Sequence, residues 1–373
     1  MHMILILTQC FPSRLGGVES LVSNLAISLG KSEKVIVFAD RQHFFYDSIF
    51  DNKYKDKILI RRTGGLKFFR RRKKIKEIRP FIESKQVKLI IADSWKSLEL
   101  GIDYLNQKNI PVICLAHGNE LLSKKIKKIK RIKSTLNKVS SIIANSIYTK
   151  NLTESFNLTN TPVHYVYPGA LDLRNIEGTE IPNIHGSPII FTLARLEKRK
   201  GHLFIVRSVK KLLLDFPNIQ YVIAGQGREK KKLQKLIFEN QLEKNIKFVG
   251  SINDSQKKYL LSKADLMVMP TLDETDHSSI EGFGISYLEA AFFSIPSIAS
   301  NIGGTPEAVL NNLTGKVINN IEHLYETIRE LLIDNEKRKT LGQNAQRRAI
   351  NEFSWDKIII KHLSIIHNTI KKN

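Results

Sequence analysis

Short apolar runs alternate along the chain with longer amphipathic segments. ILILT at 4–8 precedes a helical stretch that begins near Gly17, GVESLVSNLAISLG, and VIVFA follows at 35–39. KLIIAD at 88–93, PVICLA at 111–116, SSIIAN at 140–145 and VHYVYP at 163–168 continue the rhythm. The spacing between runs fits crossover helices rather than hairpins, which predicts a largely parallel sheet. GTEIPNIHGSP at 178–188 then breaks the pattern with two prolines and two glycines, the composition of a linker.

The rhythm restarts with PIIFTLA at 188–194, a helix around His202 to Leu214, QYVIAG at 220–225, the helical EKKKLQKLIFEN and IKFVG at 246–250. DLMVMP at 265–270, PSIAS at 296–300 and GKVIN at 315–319 are further strands. The expected fold class is therefore α/β, with two Rossmann-like doubly wound domains in series. Their boundaries fall at 1–177 and 188–350, with 178–187 as the linker. The segment FSWDKIIIKHLSIIHNTIKK is helical by spacing, and a terminal helix over 351–373 is expected to pack back across the domain junction. In open α/β sheets ligands bind beyond the carboxyl ends of the strands, so the expected site is a central cleft between two facing domains.

A length of 373 residues accommodates two such cores, and 42% hydrophobic with 25% charged residues excludes a disordered chain. No apolar stretch approaches the roughly 20 residues that span a bilayer. The apolar core of the opening segment, Ile4 to Leu7, is too short for a secretory signal and reads as a buried strand. Cys10 and Cys114 are the only cysteines, which leaves neither a disulfide framework nor a cysteine zinc site. A cytoplasmic protein is expected.

Lys and Arg outnumber Asp and Glu 59 to 36, a net charge of +23, so an anionic partner is expected: nucleic acid, acidic lipid or a phosphorylated substrate. The charge is clustered. In LKFFRRRKKIKEIRPF (66–81), Phe68 and Phe69 stand beside Arg70, Arg71, Arg72, Lys73 and Lys74. In LLSKKIKKIKRIKSTLNK (121–138), Leu122, Ile126, Ile129, Ile132 and Leu136 recur at helical spacing among Lys124, Lys125, Lys127 and Lys128. Both are basic and amphipathic, which suits an anionic membrane surface; the plainer alternative is a solvated helix whose apolar side packs on the sheet. Zinc-finger and RNA-recognition signatures are missing, so a basic nucleic-acid-binding protein is the weaker class and no nucleic-acid partner is expected.

Chemistry-bearing residues follow the strands. Gly16 and Gly17 open a helix after the first strand, where backbone amides can approach a phosphate or sugar, although such a turn is also ordinary punctuation. His117, in the HGNE after ICLA, can touch a reacting group or serve the fold. In TLARLEKRKGH, Arg195 and Lys200 lie five apart across a strand-to-helix turn and can hold a diphosphate as its charge grows. Gly225 and Gly227 leave room for a nucleotide base or form a simple turn. Glu281 and Glu289 stand eight apart in EGFGISYLEA with Gly282 and Gly284 between them. Amides at such a helix start can bind hydroxyls or phosphate, with Glu281 at the helix mouth and Glu289 further along the same side. GGTPE at 303–307 adds another such turn.

These stretches, in order, resemble the retaining GT-B glycosyltransferases of family 4 nearly end to end. The matching segments are GGVESLVSNLA, the HG at 117–118, ANSIYTK, YPGALD, ARLEKRKG, IAGQGRE, FVGSI, ADLMVMPT, the Glu-x7-Glu at 281–289, GGTPEAV and FSW. The resemblance implies a metal-independent hexosyltransferase in which Arg195 and Lys200 bind the donor diphosphate and Glu281 stands by the donor sugar. It implies Glu289 on the ribose hydroxyls and His117 near the sugar 6-hydroxyl. Gly16 and Gly17 would line the donor and acceptor sites, and the amides of Phe283, Gly284 and Ile285 would contact sugar or phosphate. FPSRLGGVES and the long LDETDHSSIEGFGISYLEA look most like GDP-mannose-dependent α-mannosyltransferases of the phosphatidylinositol mannosyltransferase type. SWKS after IIAD departs from the histidines of many members, and a UDP-sugar donor remains an alternative, as does an inactive GT-B partner subunit. The implied partners are a nucleotide sugar and a lipid-linked or cell-envelope glycan acceptor of polysaccharide or lipopolysaccharide assembly. The implied location is peripheral, on the inner face of the cytoplasmic membrane.

Overall fold

The computed structural model of the protein describes residues 2–277 and 279–372. The chain divides into two compact units, Met1–Gly169 with Trp355–Asn373, and Ala170–Ser354.

The first unit is built on β1 (Met3–Thr8), β2 (Lys34–Asp40), β3 (Leu59–Thr63), β4 (Val87–Ala92), β5 (Val112–Ala116), β6 (Ser141–Ala144) and β7 (Val163–Tyr165). These form one parallel sheet in the order β3-β2-β1-β4-β5-β6-β7. Every residue of β1 is buried, as an interior parallel strand covered on both faces requires. Three helices matter below: α1 (Gly17–Leu29), α2 (Phe44–Tyr54) and α3 (Lys67–Glu83). β3 escapes the sequence pattern because it is an edge strand, LIRRT, whose exposed positions carry Leu59 and Arg61.

The second unit contains β8 (Ile189–Leu193), β9 (Gln220–Ala224), β10 (Ile246–Gly250), β11 (Leu266–Val268), β12 (Ser297–Ser300) and β13 (Gly315–Ile318). They form a parallel sheet in the order β10-β9-β8-β11-β12-β13. Each sheet has its own apolar core, one around Leu5, Ile90, Trp95 and Ile142, the other around Ile190, Val209, Tyr221 and Leu331. The strand order reverses between β1 and β4 in the first sheet and between β8 and β11 in the second. At such points neighbouring loops diverge and leave room for a ligand.

Two segments near the boundaries have defined places. Residues 178–187 are not a free linker but part of the second unit: Ile181 and Ile184 are buried, and a Cβ on Gly186 would lie 2.3 Å from that of Gln220. The terminal helix Trp355–Lys371 belongs to the first unit, where it packs on α1 and Lys31 pairs with Asp356 at 3.2 Å.

The basic segments are likewise more structural than their composition suggests. Lys74 is fully buried on α3, its Nζ 2.6 Å from both the Asp40 carboxylate and the Thr8 carbonyl, so it cannot contact a membrane as expected. Arg70 donates to the Gly65 and Arg41 carbonyls, and Arg71 pairs with Glu99 at 3.0 Å. The helix Ile126–Leu136 is shorter than the basic run and buries Ile132 and Leu136 in the core, leaving Ile126 exposed. Its Lys128 donates to the Leu122 carbonyl at 2.9 Å. Among the described residues no helix is long and apolar enough to cross a membrane.

The Lys74 assignment is testable. Lys74→Ala leaves the buried Asp40 without its principal cation and should cost about 3 kcal/mol in denaturant unfolding. A lysine facing lipid or solvent would change stability by only a few tenths of a kcal/mol.

Candidate active site

In the second unit the loop after β8 runs to Gly201 through a single 3-10 turn, Lys198–Lys200. Gly201 has φ 70°, and a Cβ there would fall 2.2 Å from the Pro270 carbonyl oxygen. Only glycine allows the β8 loop to lie so close to the segment after β11. Leu272 N–H donates to the Arg199 carbonyl at 2.7 Å and fastens the two segments together.

This turn drives Arg199 and Lys200 inward, where both are buried. Glu281 Oε2 receives Arg199 Nη1 at 2.6 Å and also accepts from Lys200 Nζ. Burial by itself would raise the Glu281 carboxyl, but the Lys200 ammonium and then the Arg199 guanidinium override it and hold it at about 2. Lys200 is pushed down by burial, with Arg199 adding to the effect and Glu281 opposing it. Arg199 continues to Glu197 at 3.7 Å, and Glu197 pairs at 2.8 Å with the half-exposed Arg195. Alternating charges thus run Lys200, Glu281, Arg199, Glu197, Arg195. Their outer end is a solvent-accessible guanidinium.

The backbone under this chain is tied down as well. His202 donates from Nε2 to the Arg195 carbonyl at 3.2 Å, and burial lowers its imidazole to about 4, so the ring is neutral at ordinary pH. Gly303, at φ 61°, lies against the Glu281 carbonyl, which accepts from Gly304 N–H at 3.0 Å. That contact accounts for the GGTPE turn. The glycines after β9 serve a similar purpose: a Cβ on Gly225 or Gly227 would lie 2.0 or 2.3 Å from the Ala194 or Leu196 carbonyl oxygen. They press one loop onto another.

The helix following Glu281 starts only at Ile285, with Gly284 as its N-cap at φ 99°. Glu281 therefore lies ahead of the helix, and its side chain turns to the β8 loop. The N-cap provides no side-chain acceptor, so the first turn at Ile285 presents amide donors and the positive end of the helix dipole. Phe283 packs its buried ring edge-on against Phe353 at 5.8 Å. Glu289, inside the helix, reaches Lys257 Nζ at 2.6 Å from the helix Asp254–Lys263. Burial pulls the Lys257 ammonium down, but Glu289 and Asp254 more than compensate and raise it. The two glutamates thus answer to different cations on different elements.

In the first unit the reversal between β1 and β4 is organised by Asp93, at the end of β4. Its Oδ2 accepts from Thr8 Oγ1 at 2.8 Å, Gln9 N at 2.7 Å and Cys10 N at 3.1 Å, while Oδ1 accepts from Ser97 at 2.6 Å. His117 is buried and donates from Nε2 to the Asp93 carbonyl at 2.8 Å. A carbonyl only accepts, so Nε2 is the ring nitrogen that donates here. Nδ1 has no partner among the described residues. The His117 amide donates to Glu120 at 2.7 Å, holding the HGNE turn. Gly17 begins α1, and Gly16, its extended N-cap, has no side chain because Glu19 occupies that space, paired with Arg14 at 2.8 Å.

Sequence reasoning missed Arg199, Lys257 and Asp93. Arg199 sits in the same KRK triplet as Lys200, and only the turn reveals that both point inward. Lys257 reads as one of many helix lysines. Asp93 carried a usable signal, a carboxylate directly after an interior strand.

Two parallel α/β units, the second with a largely buried carboxylate between two cations beyond β8 and β11, have the architecture of a GT-B glycosyltransferase. Residues 15–170 match the family described as Glycosyltransferase Family 4, and 177–348 match Glycosyl transferases group 1. The chain belongs to the family 4 GT-B glycosyltransferases. It is 26% identical over 372 residues, 94% of each chain, to the GDP-mannose-dependent monoacylated alpha-(1-6)-phosphatidylinositol monomannoside mannosyltransferase of Corynebacterium glutamicum. It is 28% identical over 176 residues to the GDP-mannose-dependent alpha-(1-6)-phosphatidylinositol monomannoside mannosyltransferase of Mycobacterium tuberculosis, covering 47% of this chain and 46% of that one. Anabaena HepE in complex with UDP shares the fold, with TM-score 0.78 and 19% identity over 98% of this chain and 100% of that one.

Glu281→Gln strands two buried cations and should destabilise the protein by about 3 kcal/mol near neutral pH. The Glu281 charge contributes fully above its ordinary 4.5, and that contribution is lost as the pH falls towards about 2. Urea melts of wild type and variant should therefore converge over that interval. A constant gap would show that the carboxylate charge is not what stabilises the loop.

Proposed function

We propose that the protein is a retaining hexosyltransferase that moves mannose from GDP-mannose onto a lipid-linked or cell-envelope glycan acceptor, working as a peripheral protein on the inner face of the cytoplasmic membrane. The observation that carries the reaction class is the charge chain ending on Arg195, set at the point where the second sheet reverses its strand order. The full-length likeness to the Corynebacterium mannosyltransferase supports the donor and the lipid-borne acceptor.

In this reading Arg195 and Lys200 neutralise the diphosphate as it leaves, the step at which preorganised positive charge lowers the barrier most. Lys200 gives one N–H to Glu281 and one to Met269 Sδ at 3.5 Å, and its third is available to a phosphate oxygen in this reading. Glu281 stands by the donor sugar, and Glu289 exchanges its Lys257 contact for the ribose hydroxyls. Gly225 and Gly227 border the nucleotide, while the amides of Phe283, Gly284 and Ile285 donate to phosphate or sugar. In the first unit, His117 Nδ1 accepts from the sugar 6-hydroxyl, and the Gly16 and Gly17 turn lines the donor and acceptor. The acceptor attacks on the face from which the diphosphate departs, and a donor phosphate oxygen takes its proton. This route requires no enzymic nucleophile of the kind a retaining glycosidase uses. The Arg–Lys pair and the helix start supply the positive charge a metal would otherwise bring.

Thermal stabilisation by a panel of GDP-mannose, UDP-glucose, UDP-galactose and UDP-N-acetylglucosamine tests the donor. A donor at 100 times its dissociation constant adds about 2.7 kcal/mol. GDP-mannose should shift the melting temperature most, and a larger shift with a UDP-sugar would overturn the mannose assignment. Donor turnover should persist with EDTA, and the product linkage should be α by NMR.

The roles can be separated by kinetics. Arg195→Ala should lower kcat roughly 100-fold with the fold intact. Glu289→Gln should mainly weaken donor binding in calorimetry, whereas Glu281→Gln should mainly slow turnover. Near-normal kcat in Arg195→Ala would remove the diphosphate assignment.

A further inference from the structure

α2 has two faces of opposite character. Its inner face clasps the loop between β1 and α1: Asp47 accepts from Ser13 Oγ at 2.7 Å, and Phe50 meets Phe11 edge-on at 5.6 Å. Arg62 pairs with Asp51 at 2.6 Å and lies over the Phe11 ring. Its outer face presents Phe44, Phe45, Tyr46 and Ile49, which are 74%, 62%, 58% and 52% exposed. Four large apolar side chains facing solvent on one short helix have no role in the core.

The start of α3 continues the patch. Leu66, Phe68 and Phe69 are 73%, 67% and 54% exposed. The two sets are joined by arginines: Arg41 lies 5.6 Å over the Phe44 ring, and Arg70 donates to the Arg41 carbonyl at 3.1 Å. Exposed cations border the aromatics, with Arg72 over Phe68 and Lys73 beside it. Both acids of α2, Asp47 and Asp51, turn inward onto Ser13 and Arg62. The outward charge is therefore positive.

We propose that α2 and the first turn of α3 form one docking surface for an anionic lipid bilayer, with the rings of Phe44, Phe45, Phe68 and Phe69 entering the headgroup layer and Arg41, Arg72 and Lys73 meeting lipid phosphates. The inference deepens the membrane reading above and moves its centre. The helix Ile126–Leu136 is the weaker candidate, because Ile132 and Leu136 serve the core, Ile126 is its one exposed apolar side chain and its Arg131 is held by Glu99. Apolar rings wedged among cations fit a bilayer interface, where acyl chains take the rings and headgroup charge takes the cations. Through Asp47 and Ser13 the same surface is fixed to the loop that carries Gly16 and Gly17.

Vesicle flotation at low salt tests the proposal. Wild type should float with phosphatidylcholine vesicles containing about one third phosphatidylglycerol and remain behind with phosphatidylcholine alone. Phe44→Ser with Phe45→Ser and Ile49→Ser should weaken anionic binding roughly tenfold or more, as should Arg72→Glu with Lys73→Glu. Phe44→Leu with Phe45→Leu should retain it, and all variants should keep the wild-type circular dichroism spectrum. Lys124→Glu with Lys127→Glu should change binding less than about twofold. Equal binding to both vesicle types, or larger losses from the Lys124 and Lys127 pair, would overturn the surface. So would a dimer in sedimentation without lipid that the serine variant dissolves, since a second copy would then be the occupant. The readout needs neither donor nor acceptor, so a failed transfer assay leaves this result intact, and a failed flotation leaves the reaction class intact.

Discussion

Glu281 keeps its charge in the interior of the second unit because Arg199 and Lys200 reach it from one turn after β8. Much of the surrounding architecture serves that contact. Gly201 allows the turn to press on the segment after β11, Gly303 and Gly304 hold the Glu281 backbone, and His202 fixes the Arg195 carbonyl. A buried carboxylate is tolerable only with such partners, since desolvation of an unpaired ion costs several kcal/mol. Loops are ordinarily the most adaptable part of an α/β unit. Here three ions that need one another fasten two of them together.

The first unit solves a comparable problem with different chemistry. Asp93 gathers the backbone after β1 through amides and hydroxyls, while Lys74 answers Asp40 and the Thr8 carbonyl from below. Both devices act where the strand order reverses, so each sheet stiffens the region where its loops part. Preorganisation of this kind matters for a transferase. Groups that must stabilise developing charge act without reorganising when the fold has already fixed them.

The basic composition resolves into separate populations. Lys74, Arg62, Lys257, Arg199 and Lys200 are interior counter-ions, and Arg71 and Arg131 grip Glu99. What is left facing outward at the tips of α2 and α3 is a smaller set, mixed with aromatics. Net charge by itself described the sum of these groups and could not separate them.

The order of apolar runs, read by itself, determined two parallel α/β sheets and located most strands, because interior parallel strands must be continuously apolar and their crossovers long. It also singled out Arg195, Lys200, Glu281 and His117, which stand in the segments after strands, and Glu289 by its spacing from Glu281. Edge strand β3 was illegible because half of it faces solvent and carries arginines. The inward turn of Arg199, the grip of Lys257 on Glu289 and the burial of Lys74 were decided only by the tertiary structure. A lysine or arginine has the same pattern in sequence whether it meets water or a buried carboxylate, and the difference arises when distant segments, 81 residues apart for Lys200 and Glu281, are brought within hydrogen-bond reach.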